Sequence, residues 1–204
     1  MKIVVIGSSN TDMIVQVPRI PKPGETILGG TFHTAAGGKG ANQAVAAARA
    51  GGEVTFIARV GDDMFGEKAI SGFKADNINI DFVLKDPDAP SGVAEIFVAD
   101  DGENSIAVAS GANAKLSPQD VEKAEDAIKA ADIVLMQLET PLSTVAAAAK
   151  LAQQLNKMVI LNPAPAQSLT SELLQNISLL TPNESEIELL TGIEITDESS
   201  MAKA

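Results

Sequence analysis

Short runs of β-branched residues alternate with alanine-rich helical segments along most of this chain. Lys2–Ile6, Val54–Val60 and Ile133–Leu138 have the composition of buried strands, whereas Asn42–Ala50 and Leu142–Leu155 have that of helices. A strand, a helix and a second strand form a right-handed crossover, which makes the two strands parallel neighbours. The alternation therefore predicts an α/β fold: a doubly wound, mostly parallel sheet flanked by helices.

Capping signals place two further helices in this pattern. The helix predicted at Val121–Ala130 follows Ser117-Pro118, a capping residue and a proline suited to the first helical position. The helix predicted at Asn183–Leu190 is entered through Thr181–Glu184, a capping-box pattern. The remaining predicted elements are the helix Phe65–Ala75 and the strands Met158–Leu161 and Ile177–Leu180.

Two segments interrupt the alternation and have no room for a crossover helix. Met13–Val17 and Thr26–Phe32 flank a stretch rich in proline and glycine. Val93–Ala99 and Ser105–Ala109 flank an Asp-Asp-Gly-Glu-Asn turn. We expect both hairpins to leave the main sheet as a small antiparallel β lid. This lid spans about residues 13–33 and 93–109.

The length of the chain indicates the number of domains, and its net charge narrows the possible binding partners. The chain has 204 residues, within the usual range of one α/β domain, so we expect a single domain over residues 1–204. Its net charge of −12 argues against binding to nucleic acid or to an anionic membrane surface. No apolar run approaches the ~18 residues that a membrane helix needs.

Cysteine and histidine usage excludes several kinds of site. The chain has no cysteine, which excludes disulfides, a thiolate nucleophile and cysteine-based zinc sites and fits a reducing cytoplasm. His33 is the only histidine, so a histidine-cluster metal site is excluded as well. We therefore predict a cytoplasmic protein.

A glycine-rich loop leads directly into the helix predicted at Asn42–Ala50. Three of the four residues Gly37–Gly40 are glycine, which lets a ligand approach the backbone closely. The amides of the helix N-terminus, together with Lys39 and Asn42, would offer polar groups to hydroxyls. The pattern predicts a ligand site, and the alternative is an ordinary glycine-rich turn.

Polar residues also follow several predicted strands. Asn10 and Asp12 follow the first strand, Glu139 follows Ile133–Leu138, and Asn183 and Glu186 open a capped helix. The carboxyl ends of the strands are where open α/β sheets bind ligands. Around Asn10 alone, an Asx-type turn is the alternative interpretation. Several polar strand ends together favour a binding site.

These motifs resemble those of the ribokinase-like carbohydrate kinase family. The matching stretches early in the chain are Asn10–Asp12, Pro23–Thr26, Gly37–Ala44 and Gly61–Asp63, and the di-glycine stretch through Gly51 matches the family's first signature. The later matches are Gly92–Ala94, Ile96–Val98, Gly102–Asn104, Gly111–Asn113, Leu138-Glu139, Asn162–Ala166 and Thr181–Glu184. The resemblance covers essentially the whole chain.

The resemblance implies an enzyme that moves the γ-phosphate of ATP onto O5 of D-ribose. Asn183 would contact the ATP phosphates, and Glu186 would organise the water shell of Mg²⁺. The two hairpins would cover the sugar, and lids from two subunits would interlock in a homodimer. The residues implied in ribose binding are Asn10, Thr11, Asp12, Gly38, Lys39, Gly40, Ala41, Asn42 and Glu139.

One family signature has no match in these 204 residues. It is a glycine-rich G-A-G-D stretch that carries the general-base aspartate and the amides that stabilise the transferring phosphoryl group. By the resemblance, the adenine pocket and an activating K⁺ site would also lie beyond Ala204. Thr196–Ser199 looks like a helix start just before the last residues. We therefore expect a C-terminally incomplete kinase with no catalytic base among residues 1–204.

Two other functions stay open. One is a different sugar or nucleoside kinase of the same family, such as a fructokinase or an adenosine kinase. Asn162–Ala166 and the hairpin at Gly102–Asn104 favour the ribose enzyme over these. The other is a non-catalytic sugar-binding or dimerising module. A G-A-G-D motif encoded after Ala204 would discriminate a kinase from such a module.

Overall fold

Ten strands and eight α-helices make up the computed structural model, which describes all 204 residues, Met1–Ala204. The strands are β1 (Lys2–Ile6), β2 (Asn10–Val17), β3 (Thr31–Gly37), β4 (Glu53–Gly61), β5 (Asn79–Asp86), β6 (Gly92–Ala99), β7 (Asn104–Ala109), β8 (Ile133–Met136), β9 (Met158–Leu161) and β10 (Leu179–Leu180). The helices are α1 (Lys39–Arg49), α2 (Met64–Ala75), α3 (Pro118–Glu122), α4 (Glu125–Ala130), α5 (Leu142–Gln154), α6 (Ser171–Leu174), α7 (Glu184–Thr191) and α8 (Glu198–Met201). A 3-10 turn, Gly111–Lys115, follows β7.

Six of the strands form one parallel sheet in the order β10-β9-β8-β1-β4-β5. From β1 the chain adds β4 and β5 on one side, and then β8, β9 and β10 on the other. The predicted doubly wound parallel sheet is therefore confirmed. The direction of strand addition reverses between β1 and β8, and such a switch point is where open α/β sheets bind ligands.

The hydrophobic core lies on both faces of this sheet, because successive strand residues point to opposite sides. Val5 and Phe56 face α1 and α2, where the rings of Phe56 and Phe73 meet edge to face at 5.1 Å. Val4 and Ile57 face the layer of α3 to α6. Small aliphatic residues, many of them alanine, fill the contacts with the helices. None of the helices has both the length and the apolar character needed to cross a membrane.

The other four strands form a second sheet, the lid sheet, in the order β3-β2-β6-β7. The pairs β2–β3 and β6–β7 are antiparallel hairpins, as the sequence predicts. The central pair β2–β6 is parallel, from Asn10 opposite Gly92 to Val17 opposite Ala99. The lid sheet is therefore mixed and not wholly antiparallel. The two hairpins thus lie side by side, with their first strands β2 and β6 running in the same direction.

Several predicted boundaries shift. β3 spans Thr31–Gly37 instead of Thr26–Phe32, because β2 begins at Asn10 and its hairpin partner must extend to Gly37. Asn10 and Asp12 accordingly lie within a strand and not in a turn. Helix α1 begins at Lys39, three residues earlier than predicted. The helix predicted at Val121–Ala130 is two short helices, α3 and α4, although its Ser117 cap is confirmed.

The sequence gives no signal for β5, the edge strand that pairs with β4. Most of its residues are exposed or half-buried, and its charged and apolar residues do not follow a clear alternation. β10 is only two residues long and ends the opposite edge of the sheet. The missed strand β5 and the shortened strand β10, Leu179–Leu180 instead of the predicted Ile177–Leu180, are both at edges, where burial imposes the weakest pattern on the sequence.

A half-buried arginine joins β4, β5 and α3. Arg59 Nη1 contacts Asp86 Oδ2 at 2.8 Å, and Arg59 Nη2 contacts Asp120 Oδ2 at 2.7 Å. Burial raises the pKa of Asp120, but hydrogen bonds from Ser117 and Arg59 outweigh this effect and hold the pKa below 3.8. Hydrogen bonds from Arg59 and from the backbone of residues 88 and 89 lower the pKa of Asp86 as well. Both carboxylates are thus held in the charged form.

Removing one carboxylate from this network is predicted to destabilise the fold. Asp120→Ala leaves Arg59 Nη2 without its acceptor while Nη1 keeps Asp86, and the loss of this charged hydrogen bond is expected to cost about 1.5–3 kcal/mol of unfolding free energy. Because folding lowers the pKa values of Asp86 and Asp120, their contribution is present above pH 3.8 and is lost as the pH falls through their folded values. Urea unfolding of the whole protein between pH 7 and pH 3 should show a shallower acid loss in Asp120→Ala than in the wild type.

The matched control is Asp62→Ala. Asp62 pairs with Lys85 at 2.9 Å on the surface, and its side chain is 59% exposed. Exposed pairs contribute ~1 kcal/mol or less, so this variant should stay near the wild type at every pH. Equal losses in the two variants would contradict the role assigned to Arg59.

Candidate functional site

The start of helix α1 is held against the end of strand β1 by Ser8. The Ser8 hydroxyl donates to Glu139 Oε2 at 2.6 Å and accepts from the Gly40 amide at 3.2 Å. The Ser8 carbonyl accepts from the Ala41 amide at 2.8 Å, and the Lys39 amide donates to Glu139 Oε2 at 2.9 Å. The partial positive charge of a helix N-terminus stabilises a carboxylate placed there. These bonds join β1, α1 and the end of β8 at the switch point of the sheet, and we call them the Ser8 clasp.

The Ser8 clasp corrects one expectation from the sequence. The amides of Lys39, Gly40 and Ala41 all bond to groups of the protein itself. They are therefore not free donors for a ligand, as the position at a helix N-terminus had suggested. At this end of α1, the groups that remain available to a ligand are side chains.

Gly38 and Gly40, in the loop before α1, make the close contact at the Ser8 clasp possible. Gly38 has φ +89°, and a Cβ atom there would lie 2.8 Å from the Asn10 amide nitrogen. At Gly40 a Cβ atom would lie 2.5 Å from the Ser8 amide nitrogen. Such distances are below van der Waals contact, so only glycine lets the helix start reach the backbone of residues 7–10.

A buried asparagine braces the residues that follow Ser8. Asn113, in the 3-10 turn after β7, is 1% exposed. Its Oδ1 accepts from the Ser9 amide at 2.8 Å, and its Nδ2 donates to the Ser9 carbonyl at 3.1 Å and to Asn10 Oδ1 at 2.7 Å. The sequence gives Asn113 no role beyond its place in a Gly-Ala-Asn stretch. Nothing local in that stretch shows that its partners lie more than a hundred residues earlier.

A cavity of about 610 Å³ opens beside the Ser8 clasp, between the end of β8, the start of α1 and strand β7. We call it the β8 cavity. Asn10, Lys39 and Glu139, three of the predicted sugar-binding residues, line it. The exposed lid residues Ile106 and Val108 form its apolar wall. The structure thus brings residues from positions 10, 39 and 139 to one concave surface.

A second cavity of about 550 Å³ lies between α1, α2 and the strands β2 and β3. We call it the α1–α2 cavity. Thr11, Ala41 and Asn42, which were also predicted to bind the sugar, line this second space. Asn10 lines both cavities, so the two spaces are neighbours. Six of the nine predicted sugar-binding residues are therefore divided between two cavities. Asp12, Gly38 and Gly40 line neither cavity, and the two glycines lie against the backbone of residues 7–10.

Asp12 lies on β2 against the backbone of Gly37. A Cβ atom added to Gly37 would lie 2.1 Å from Asp12 Oδ1, so glycine is needed there for the carboxylate to fit. Burial, and secondly the negative charge of Glu139, raise the pKa of Asp12. The two carboxylates are close enough to repel each other. A hydroxyl group that donates to either of them would relieve part of this cost.

Asn183 and Glu186 form the predicted capping box at the start of α7. The Asn183 side chain accepts from the Glu186 amide, and the Glu186 carboxylate accepts from the Asn183 amide, each at 2.8 Å. Both residues follow β10, which lies two strands from β8, or ~10 Å away at ordinary strand spacing. They therefore share the ligand-binding edge of the sheet but stand apart from the β8 cavity.

The combined polar groups suit a ligand rich in hydroxyls. Asp12 and Glu139 only accept when ionised, Lys39 only donates, and an asparagine amide does both. Sugar hydroxyls both donate and accept, so they can satisfy such a mixed set. No group of three or more histidine, cysteine or acidic side chains is placed to hold a metal ion.

Comparisons with known proteins agree on one family. The model of the pfkB family carbohydrate kinases matches residues 1–204. The ribokinase of Haemophilus influenzae is 48% identical over 200 residues, which are 98% of this chain and 65% of that protein. The deoxyribokinase of Salmonella typhi is 41% identical over 196 residues, which are 96% of this chain and 64% of that protein. The chain thus spans about 65% of the length of these curated relatives.

Solved structures give the same result for the fold. The structure of Arabidopsis thaliana ribokinase complexed with ribose and ATP superposes with a TM-score of 0.89 at 35% identity. The superposition covers 99% of this chain and 66% of that one. The α/β architecture with its lid sheet is therefore that of known carbohydrate kinases.

Two glycine substitutions should have opposite effects on stability. Gly40→Ala places a Cβ atom 2.5 Å from the Ser8 amide nitrogen and forces the Ser8 clasp apart, which is expected to cost about 1–3 kcal/mol. Gly72→Ala, in the interior of α2, meets no atom within 4 Å and should stabilise by about 0.5–1 kcal/mol, because alanine favours a helix over glycine. Thermal unfolding of both variants measures the difference, and a stable Gly40→Ala would contradict the close contact at the Ser8 clasp.

Proposed function

Because this chain belongs to the pfkB family of carbohydrate kinases, we propose that the whole protein is an ATP-dependent ribose kinase. It transfers the γ-phosphate of ATP to O5 of D-ribose and releases ribose 5-phosphate and ADP. The observation that carries the proposal is the β8 cavity, where Asn10, Lys39 and Glu139 converge at the switch point of the sheet. The identity to ribokinases, and a similar structure complexed with ribose and ATP, support the sugar and the phosphate donor.

In this proposal the sugar is held by complementary polar groups. Asp12 and Glu139 accept from sugar hydroxyls, and Lys39 and Asn10 donate to them. Thr11, Ala41 and Asn42 extend the site into the α1–α2 cavity, which adjoins the first cavity at Asn10. Gly38 and Gly40 keep the backbone close to β1 and so fix the position of Lys39. The apolar side chains of Ile106 and Val108 cover the sugar from the lid sheet.

Asn183 and Glu186 are proposed to hold the phosphate end of ATP and its magnesium ion. Mg²⁺ in nucleotide sites is bound mainly by phosphate oxygens and waters. The ion would neutralise charge on the phosphates. Glu186 is 8% exposed and already accepts from the Asn183 amide, which fits an indirect contact through water. The activating K⁺ ion is predicted to bind outside residues 1–204.

The identity to deoxyribokinases points to a second possible sugar substrate. Deoxyribokinases are 41% identical to this chain, so 2-deoxyribose is the first alternative sugar to test. Fructose and adenosine represent the other sugar and nucleoside kinases of the family. Binding of ribose without turnover by the whole protein would support the sugar-binding module instead. A cytoplasmic location stays a prediction.

Asp12→Ala is predicted to remove the main sugar anchor. Hydrogen bonds to a charged group contribute ~1.5–3 kcal/mol each, so loss of two should lower kcat/KM for ribose by about a hundredfold or more. Steady-state kinetics of the whole protein with ribose and Mg-ATP measure this. Asp81→Ala, a change of an exposed carboxylate on the edge strand β5, is the control and should stay near the wild type. A loss below about threefold in Asp12→Ala would remove Asp12 from the site.

The lid sheet is proposed to pair with a second copy of the chain. Phe32, Val15 and Phe97 lie side by side across β3, β2 and β6. Alternation along the strands places them on the face opposite to Asp12. Phe32 is 60% exposed. A sheet of one layer cannot bury apolar residues on both faces by itself, so the partner lid would cover the outer face.

Light scattering at micromolar concentration is predicted to give a dimer for the whole protein. Phe32→Glu places a charge in the apolar outer face and should shift the protein to a monomer. Met64→Glu, a change of an exposed methionine at the start of α2, is the control and should leave the dimer intact. A wild-type monomer that still phosphorylates ribose would contradict the lid dimer.

Residues 1–204 alone are predicted to bind sugar weakly and to turn over poorly. They contain no G-A-G-D stretch, and a missing general base costs ~10²–10⁴ in rate while a missing anion-stabilising donor costs ~10²–10³. A kinase of ordinary kcat, ~1–100 s⁻¹, would fall to roughly one turnover per minute or less. A coupled ADP-release assay with ribose, Mg-ATP and K⁺ measures this, and ribose-dependent turnover near one per second would show that these residues suffice.

A further inference from the structure

The orientation of two side-chain amides near the β8 cavity is fixed by a single backbone donor. The Ser9 amide can only donate, so the atom of Asn113 that it contacts at 2.8 Å must be the oxygen. The Nδ2 of Asn113 therefore lies on the other side, where it donates to the Ser9 carbonyl and to Asn10. Because Nδ2 can only donate, the atom of Asn10 at 2.7 Å must also be its oxygen.

The amide nitrogen of Asn10 is what remains for a ligand. Asn10 Oδ1 is turned to Asn113, and Asn10 lines both cavities. The buried side-chain atoms that lack a partner are Arg59 Nε, Gln137 Oε1 and Thr140 Oγ1. Asn10 Nδ2 makes no hydrogen bond within the protein and is not among these buried atoms, so it reaches the open space of the cavities.

We propose that Asn113 is a positioning residue that presents Asn10 to the sugar as a hydrogen-bond donor. This rests on the proposed sugar-binding function. A sugar hydroxyl beside Asn10 accepts from Nδ2 and can donate to Asp12 or Glu139. The reversed amide would place the Asn10 oxygen in the cavity that Glu139 lines, and two acceptors would then face one hydroxyl that has a single hydrogen to donate.

Gly92 makes room for this contact at the start of β6. A Cβ atom at Gly92 would lie 2.1 Å from Asn10 Oδ1 and 2.2 Å from Asn113 Nδ2. Any other residue there would separate the two amides. The contact thus lies between the starts of β2 and β6, where the lid sheet joins the rest of the chain, and it ties the sugar donor to the base of the lid.

A double-mutant cycle tests whether Asn113 acts through Asn10. In the whole protein, Asn10→Ala and Asn113→Ala are each expected to raise the KM for ribose about three- to tenfold, the effect of one lost hydrogen bond, with a smaller change in kcat. If Asn113 acts by orienting Asn10, the double variant should show the KM of Asn10→Ala alone. Effects on KM that multiply, or an unchanged KM in Asn113→Ala, would overturn the proposal.

A comparison of Tm with KM distinguishes the positioning role of Asn113 from a merely structural role. Asn113→Ala also removes two hydrogen bonds to Ser9, so it should lower Tm even in the Asn10→Ala background, where KM no longer responds. The control is Thr144→Val, which removes a buried hydrogen bond of 2.7 Å to the Leu116 carbonyl. It should lower Tm and leave KM unchanged.

A readout without sugar distinguishes failure of this proposal from failure of the ribose assignment. If the wild type neither binds nor phosphorylates ribose, the proposed function is wrong, and hydrogen exchange of the Asn113 side-chain amide then decides the orientation. Its protons should exchange slowly in the wild type and at least about tenfold faster in Asn10→Ala, because one of them loses its acceptor. Exchange that Asn10→Ala does not change would overturn the proposal.

Discussion

The Ser8 clasp is the interaction on which the rest of the site depends. One serine at the end of β1 satisfies two amides of α1 and shares the carboxylate of Glu139 with a third. The groups come from positions separated by more than a hundred residues. Without these bonds the first turn of α1 would have unpaired buried amides, and Lys39 and Glu139 would have no fixed separation. The glycines of the loop follow from this contact, since larger residues would prevent it.

Of the two carboxylates at the site, only one is balanced by positively charged or partly positive groups. The N-terminus of α1 and the Lys39 amide stabilise Glu139, whereas Asp12 has no cationic partner and lies near Glu139. Because folding raises the pKa of Asp12, its ionised form disfavours the folded state, and this cost vanishes as the pH falls below the unfolded value. A site that holds a carboxylate without a cationic partner gives up stability for an acceptor that a ligand can use. Hydroxyl groups of a bound sugar would offset that loss of stability by donating to the carboxylate.

Local signals in the sequence predicted the local parts of the structure. The alternation of strands and helices gave the parallel sheet, and the patterns at Ser117 and Asn183 gave the helix caps that the structure confirms. Pairings between distant segments could not be predicted from such local signals. The parallel contact of β2 with β6, the edge strand β5 and the bond of Asn113 to Asn10 all depend on how distant pieces meet. The free amides expected at α1 were wrong for the same reason, because their partners are Ser8, about thirty residues earlier, and Glu139, a hundred residues later in the chain.

The residues assigned to the sugar came mainly from resemblance, and the structure arranges six of them, but not Asp12, Gly38 or Gly40, around two adjoining cavities. We propose that ribose binds at the switch point, beside the Ser8 clasp and under the lid sheet. A crystal structure of the whole protein with ribose tests it most directly. Sugar hydroxyls should lie within hydrogen-bond distance of the Asp12 and Glu139 carboxylates and of Asn10 Nδ2. Ribose bound wholly within the α1–α2 cavity, with no contact to Asp12 or Glu139, would contradict it.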